Sequence, residues 1–459
     1  MNMTKSYYDE KKEFIKTLLE NTFFRDWKDA AREDAIFTNI ELMLTPKCNL
    51  SCSYCYYNNK TAHGDGLYPP GIDTWEAALS NTDALFSYLE KNSYFPKSVD
   101  IFAGDALIHI NSQKVIKKAV DFYHRNSRIG MVVIPTNMAF IRNDRIVKDL
   151  EELFEYGKER GVKILLSASI DGKYLDPINR KNANPCVNNA EYYSDEFYDK
   201  VFAFSKKHGI GFHPMVHHQG IELWKQNWDW FQEQFEKHGI AWYNIYLLEV
   251  RNDGWTKNSI QEYVKFYKYV LEYAYKKLFN HSDMFIKGFV CNGSGVYPNL
   301  PKMNMFNNVG TMGRGIGCSL QTTMQIRMGD LSVVPCHRQS YDWCVGFKFV
   351  TQGGEIVDIE PKNAEFYSTQ LTMDTKAFPY CETCLIRNLC CQGCPGSQLE
   401  VNGDAFMPIQ SVCLLEHGKV KAQIEFLRDN GLYSLLISLL NKEQRMTFEL
   451  VNKYLIGEE

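Results

Sequence analysis

The sequence predicts an α/β fold: a partial (β/α)6 TIM-like barrel over residues 37–284, preceded by a helical lead (1–36) and followed by a cysteine-rich region (285–415) and C-terminal helices (416–459). Three observations predict it. Up to about residue 284 short apolar runs alternate with helix-length amphipathic segments, the pattern of repeated βα units around a parallel sheet. Beyond that point the periodicity fades into Gly-, Asn- and Cys-rich stretches with short strands, a region expected to be held by ligated cysteines. From about 415 to 456 the pattern is helical again. Strands are expected near 37–44 (FTNIELML), 98–103 (SVDIFA), 130–135 (GMVVIP), 163–170 (KILLSASI), 211–217 (GFHPMVH) and 242–249 (WYNIYLLE). Helices fall between them, for example over 143–159 and 220–237. In such a barrel the chemistry sits at the C-terminal ends of the strands.

Composition bounds the setting. A chain of 459 residues, 45% hydrophobic and 14% aromatic, buries a large core in more than one domain. Its formal net charge of -4 provides no basic field for a nucleic acid. The longest apolar stretches, such as YSLLISLL at 433–440, fall far short of the roughly 20 residues of a membrane span. The charged N-terminus MNMTKSYYDEKKEF lacks an apolar signal core, so a cytoplasmic location is expected, with neither membrane nor nucleic-acid partners. Fourteen cysteines in such a chain argue for metal or cluster ligation in a reducing compartment rather than for disulfides. Three lie at 48–55, Cys186 stands apart, and ten fall between 291 and 413.

The first group, CNLSCSYC, follows the first expected strand, where a barrel places its reactive residues. A closed zinc site needs four ligands, commonly two C-x2-C pairs, and no second pair is nearby. Three thiolates on a cubane of four irons leave one iron open for a substrate or cofactor. The alternative is a zinc site completed from elsewhere in the chain.

The stretch resembles the signature of the radical S-adenosylmethionine superfamily, C-x3-C-x-aromatic-C, with Cys48, Cys52, Tyr54 and Cys55 at its positions. The resemblance implies a 4Fe–4S cluster whose open iron chelates S-adenosyl-L-methionine, and cleavage of that cofactor to a 5′-deoxyadenosyl radical. It also implies further cofactor contacts. Where the family carries Gly-Gly-Glu-Pro, this chain has Ala103-Gly104-Asp105-Ala106, keeping Gly104 and a carboxylate, Asp105, one methylene shorter. Thr136 and Asn137 resemble the Thr-Asn that ends the third strand. SASIDGKYLDPINR resembles the Ser-x-Asp-Gly…Arg segment, so Ser169 and Arg180 would contact the cofactor while Asp171 shapes the loop. Glu249, ending the sixth strand, is a further candidate contact.

The second group, Cys381-x2-Cys384-x5-Cys390-x3-Cys394 with Cys413 downstream and Cys318 and Cys336 upstream, resembles the SPASM extension. That resemblance implies a C-terminal iron–sulfur domain with two auxiliary 4Fe–4S clusters, three clusters in all. Cys381, Cys384, Cys390 and Cys413 would hold the distal one; Cys394 would join Cys318 and Cys336 on the proximal one. The fourth proximal ligand is open between Cys291, Cys344 and a site left for substrate, and Cys391 is a spare. A pair of zinc ribbons is the alternative, although C-x2-C-x5-C-x3-C is not a ribbon spacing.

The glycines of GTMGRGIGC (310–318) lack a βαβ setting and are not read as a nucleotide loop. His213, His217 and His218 are read as packing or surface residues. Cys186 is a candidate hydrogen-atom donor. His337 stands where sulfatase-maturating enzymes carry an aspartate base, and no second cysteine lies close upstream of Cys318; both departures favour a maturase of ribosomally made peptides over an anaerobic sulfatase-maturating enzyme. The expected reaction is oxidative thioether or carbon–carbon cross-linking of a precursor peptide, with epimerisation as its rival and a zinc-binding scaffold as the non-enzymatic alternative. A flavodoxin or ferredoxin would supply electrons. With 47 residues ahead of Cys48, leader recognition would be minimal, supplied by a separate protein, or performed by the barrel.

Overall fold

Apolar residues at every second position of NIELM, SVDIF, MVVIPT and KILLSA set the strands, because a strand turns alternate side chains to opposite faces. In the computed structural model the strands in chain order are β1 (Asn39–Met43), β2 (Leu50–Cys52), β3 (Ser98–Phe102), β4 (Met131–Thr136), β5 (Lys163–Ala168), β6 (Arg180–Asn182), β7 (Gly211–Phe212), β8 (Met215–Val216), β9 (Leu248–Glu249), β10 (Thr323–Arg327), β11 (Ser332–Val334), β12 (Phe347–Gln352) and β13 (Glu355–Pro361). The structure describes residues 9–17, 19, 38–44, 47–57, 75–102, 104–108, 110–277, 320, 322–371, 379–386, 389–390, 393–440 and 442–456. The chain divides into two compact units: residues 1–169, 182–187 and 319–372 form one, and 170–181, 188–318 and 373–459 the other.

In the first unit the strand order is β13-β12-β11-β10-β1-β3-β4-β5. β10, β1, β3, β4 and β5 run parallel, as the alternating βα pattern predicts, and β11 to β13 return antiparallel. Register aligns Met324, Ile40, Val99 and Val132 across four strands, and Ile326, Leu42 and Ile101 beside them, all with no exposed surface. Each such side chain contributes roughly 1.5–3 kcal/mol on burial. The alternate positions form a polar row, Gln325, Glu41 and Asp100, in which Gln325 and Glu41 are buried. A polar row beneath the C-terminal mouth of a parallel sheet is where chemistry, rather than packing, sets the residue type.

Residues 323–361 contain the four strands β10 to β13, joined to β1 by a parallel ladder from Asn39↔Thr323 to Met43↔Arg327. Two strand expectations change. The run 211–217 breaks at His213-Pro214 into β7 and β8, since proline offers no N–H to a ladder. The run 242–249 is reduced to β9 and a single bridge, Phe212↔Ile245.

In the second unit β8 and β9 pair in parallel, and the helices Lys257–Lys277 and Gln410–Asp429 pack closely. A Cβ added at Gly418 would stand 3.0 Å from Val264 Cγ2 and 3.3 Å from Ile260 Cγ2, so that helix crossing fits glycine. Among the described residues no helix is long and apolar enough to cross a membrane.

Candidate functional site

The first unit gathers its candidate residues at the C-terminal ends of β1, β3 and β4. Cys48 lies after β1, Cys52 ends β2, and the Cys55 N–H closes a turn onto the Cys52 carbonyl at 3.0 Å. All three cysteines, and Tyr54 between them, are half-buried. Cys48 Sγ accepts from the Leu50 N–H at 3.4 Å and from Asn137 Nδ2 at 3.6 Å, and the same Asn137 nitrogen donates to Asn49 Oδ1 at 2.8 Å. Donors aimed at a sulfur favour its thiolate, the form that binds metal.

Asp105, 2% exposed, fastens this mouth together. Its carboxylate accepts from the Asn137 N–H at 2.7 Å, the Thr136 hydroxyl at 3.1 Å and the Leu107 N–H at 3.0 Å. Its own N–H donates to the Lys47 carbonyl at 3.1 Å, so one residue ties the loops after β1, β3 and β4. Gly104 is half-buried beside it, and the Ser169 N–H donates to the Thr136 carbonyl at 2.8 Å.

His337 comes next to this mouth through Glu41, which the sequence reading missed. Its Nδ1 lies 3.0 Å from Glu41 Oε1, and its ring stacks on Phe102 at 4.5 Å and on Tyr56 at 5.2 Å. The Arg338 guanidinium lies over Tyr56 at 5.1 Å, and the Arg338 N–H donates to Cys336 Sγ at 3.4 Å. A carboxylate on one nitrogen and stacked aromatic rings fix an imidazole's tautomer and orientation. The available signal was a glutamate inside the apolar run FTNIELML. Burial, then the Glu41 charge, raises the neighbouring Asp100 to about 6 against the hydrogen bond from Ser98.

In the second unit, Ile170, Asp171 and Gly172 are buried, and the Leu175 N–H closes a turn onto the Gly172 carbonyl at 3.0 Å. Asp171 accepts from the Met215 N–H at 2.8 Å, and Gly172 adopts φ +103°. Asp176 accepts from the N–H groups of Asp171 and Gly172 and from the Tyr198 hydroxyl, each within 3.1 Å. Arg180 lies between the two carboxylates, 3.5 Å from Asp176 and 4.0 Å from Asp171. Burial pushes His213 down to about 4 and His217 to about 3, so both rings are neutral. Glu249 Oε1 accepts from the Tyr263 hydroxyl at 2.5 Å and from Lys419 at 3.2 Å.

The same unit contains a cavity lined by Cys381, Cys384, Cys390, Cys394 and Cys413. The Cys384 N–H donates to the Cys381 carbonyl at 3.1 Å, making the C-x2-C turn, and Cys394 precedes the helix Pro395–Asn402. Cys413 rides the helix Gln410–Asp429; burial, then the nearby Cys381 and Cys384, pushes its thiol up to about 11. Thiols that repel one another in a buried cavity ionise when a cationic centre compensates them, so the donor set suits a metal cluster. Among the described residues no three His, Cys, Asp or Glu side chains converge as a single ion needs.

Of the remaining candidates, Cys344 is fully buried, which raises its thiol well above the ordinary value, and Cys186 is exposed, its N–H donating to Asn184 Oδ1 at 3.0 Å. Cys291, Cys318 and Cys391 lie outside the described residues, as does Ala103.

No protein-family model matches the chain, and no curated protein matches it. Solved structures do. Native anSMEcpe with bound AdoMet matches at a TM-score of 0.56, with 16% identity over 87% of this chain and 99% of that one. Native anSMEcpe with bound AdoMet and Cp18Cys peptide gives a TM-score of 0.54, again at 16% identity, over 88% and 99%. Streptococcus suis SuiB bound to precursor peptide SuiA gives 0.44 at 12% identity, over 84% and 78%. At these identities the likeness to anSMEcpe is one of fold, and it runs nearly the full length of that protein.

Proposed function

We propose that the chain is a radical S-adenosylmethionine enzyme that modifies a peptide, by oxidative thioether or carbon–carbon cross-linking of a ribosomally made precursor. The observation that carries this reading is the three-cysteine loop at the mouth of the parallel sheet, with Asn137 donating to Cys48 and Asp105 locking the adjoining loops. Cys48, Cys52 and Cys55 would hold a 4Fe–4S cluster, and Tyr54, Gly104, Thr136, Asn137 and Ser169 would border S-adenosylmethionine. When bound, these groups would supply a 5′-deoxyadenosyl radical for hydrogen abstraction from the peptide.

The chain's own residues then have distinct tasks. The Leu50 N–H and Asn137 amide steady the Cys48 sulfur. Phe102 and Tyr56 wall the imidazole of His337, and Glu41 orients it to take the proton that leaves the oxidised peptide. Cys381, Cys384, Cys390 and Cys413 would hold an auxiliary cluster, an acceptor for the electron released in oxidation. A flavodoxin or ferredoxin would reduce the first cluster.

A second reading, oxidation of a cysteine side chain as in sulfatase maturation, is favoured by the Cp18Cys peptide in the anSMEcpe structure. The test is incubation of the reconstituted enzyme with peptides encoded by short reading frames beside its gene, read by mass spectrometry. Loss of two hydrogens with a new internal bond is expected. A mass unchanged in H2O but raised by about one unit in D2O, with the deuterium at one α-carbon, would instead establish epimerisation, and a formylglycine would establish the second reading.

A further inference from the structure

The roles above leave one group in the five-cysteine cavity unassigned: His417. It follows Cys413 by one helical turn on the helix Gln410–Asp429, and i,i+4 spacing puts the two on one face. Both line the same cavity. His417 Nε2 lies 3.5 Å from Cys384 Sγ, which is on a separate segment of the chain. The neighbouring cations are engaged elsewhere: Arg251 donates to the Gly393 carbonyl at 2.8 Å and pairs with Glu416 at 3.5 Å, and Lys419 lies 3.2 Å from both Glu249 and Glu416.

We propose that His417 is a positioning residue for the distal cluster, donating Nε2–H to the Cys384 sulfur and raising the cluster's reduction potential. This inference rests on the cluster reading of the cavity. A metal-bound thiolate has no proton and can only accept, so the imidazole is the donor. A donor to a cluster sulfur stabilises the reduced, more negative state more than the oxidised one, which moves the potential upward. For a reaction that hands an electron to this site, the histidine makes the site a better acceptor.

The test is an EPR-monitored potentiometric titration of the full-length protein, reconstituted without oxygen, as wild type, His417→Ala and His417→Gln, with iron measured on each. The expected result is unchanged iron, a distal midpoint shifted to lower potential in His417→Ala, and partial restoration in His417→Gln, which again offers an N–H. Pulsed EPR of the reduced wild type provides a second readout that needs no variant to fold: a weak nitrogen coupling on the distal signal. An unmoved midpoint overturns the proposal. So does loss of about four irons in His417→Ala, or a strong nitrogen coupling, since either makes the histidine a ligand. Wild-type protein that takes up no iron in this cavity would overturn the cluster reading itself, a failure distinct from the other three.

Discussion

At Asp105 a single buried carboxylate accepts three hydrogen bonds and so decides how the loops after β3 and β4 meet the Cys48 loop. Hydrogen bonds to charged groups contribute roughly 1.5–3 kcal/mol, and donors left unpaired on burial add a penalty of similar size. Asp105→Ala is therefore expected to lose about 3 kcal/mol in urea unfolding, and its three-cysteine site to release iron faster to a chelator. Wild-type stability and iron retention would show that the carboxylate does not hold the mouth. Asp176 makes a second claim at this scale. Burial first, then the Asp171 charge, raises it to about 7 against the pull of Arg180. The folded state thus binds this proton more tightly than the unfolded chain, whose carboxyl titrates near ~3.9. The stability it contributes is complete below that value and is lost as pH rises through about 7. The thermal midpoint is expected to fall between about pH 4 and 7, and to fall less in Asp176→Asn. Parallel slopes for the two proteins would contradict the shift.

Among the elements, the Ser-Ile-Asp-Gly turn is built as its sequence implies, with a glycine that no other residue can replace at equal cost. Gly172 has φ +103°, and an added Cβ would meet Asn227 Oδ1 at 2.5 Å and Phe231 Cε2 at 2.8 Å. Gly353, in the β12–β13 hairpin, also has positive φ (+61°) but meets nothing within 4 Å. Alanine at both positions incurs the left-handed penalty of about 1 kcal/mol, and only Gly172→Ala adds a clash. Differential scanning calorimetry is expected to show the larger drop for Gly172→Ala; equal drops would mean that the turn relaxes freely. Strands were legible where one face is apolar: FTNIELML, SVDIFA, GMVVIP and KILLSASI all became β1, β3, β4 and β5. GFHPMVH was read too long because its apolar run hides a proline. The place of β10 was not legible, since TMQIR alternates like any strand and its partner, β1, lies at the other end of the chain. The cysteine loops were legible because their spacing is local. The Glu41–His337 pair and the contact of His417 with Cys384 join distant segments that no spacing reveals.

For the whole molecule, the first unit is completed by residues 319–372, so the segment after β11 that carries Cys336 and His337 belongs to the same unit as the three-cysteine loop. The shared fold with anSMEcpe covers 87% of the chain, including segments with no sequence likeness strong enough to match a family. Such a fold hosts chemistry through its site rather than by its architecture. The claim on which everything else depends is therefore the identity of what the cysteines hold. The most direct measurement is iron and acid-labile sulfide per chain after reconstitution without oxygen, followed by 5′-deoxyadenosine formed from S-adenosylmethionine and dithionite. Three cubane clusters predict about twelve irons, and 5′-deoxyadenosine that disappears in Cys52→Ala. Zinc in place of iron, or a full complement of iron with no cleavage of S-adenosylmethionine, would contradict the account.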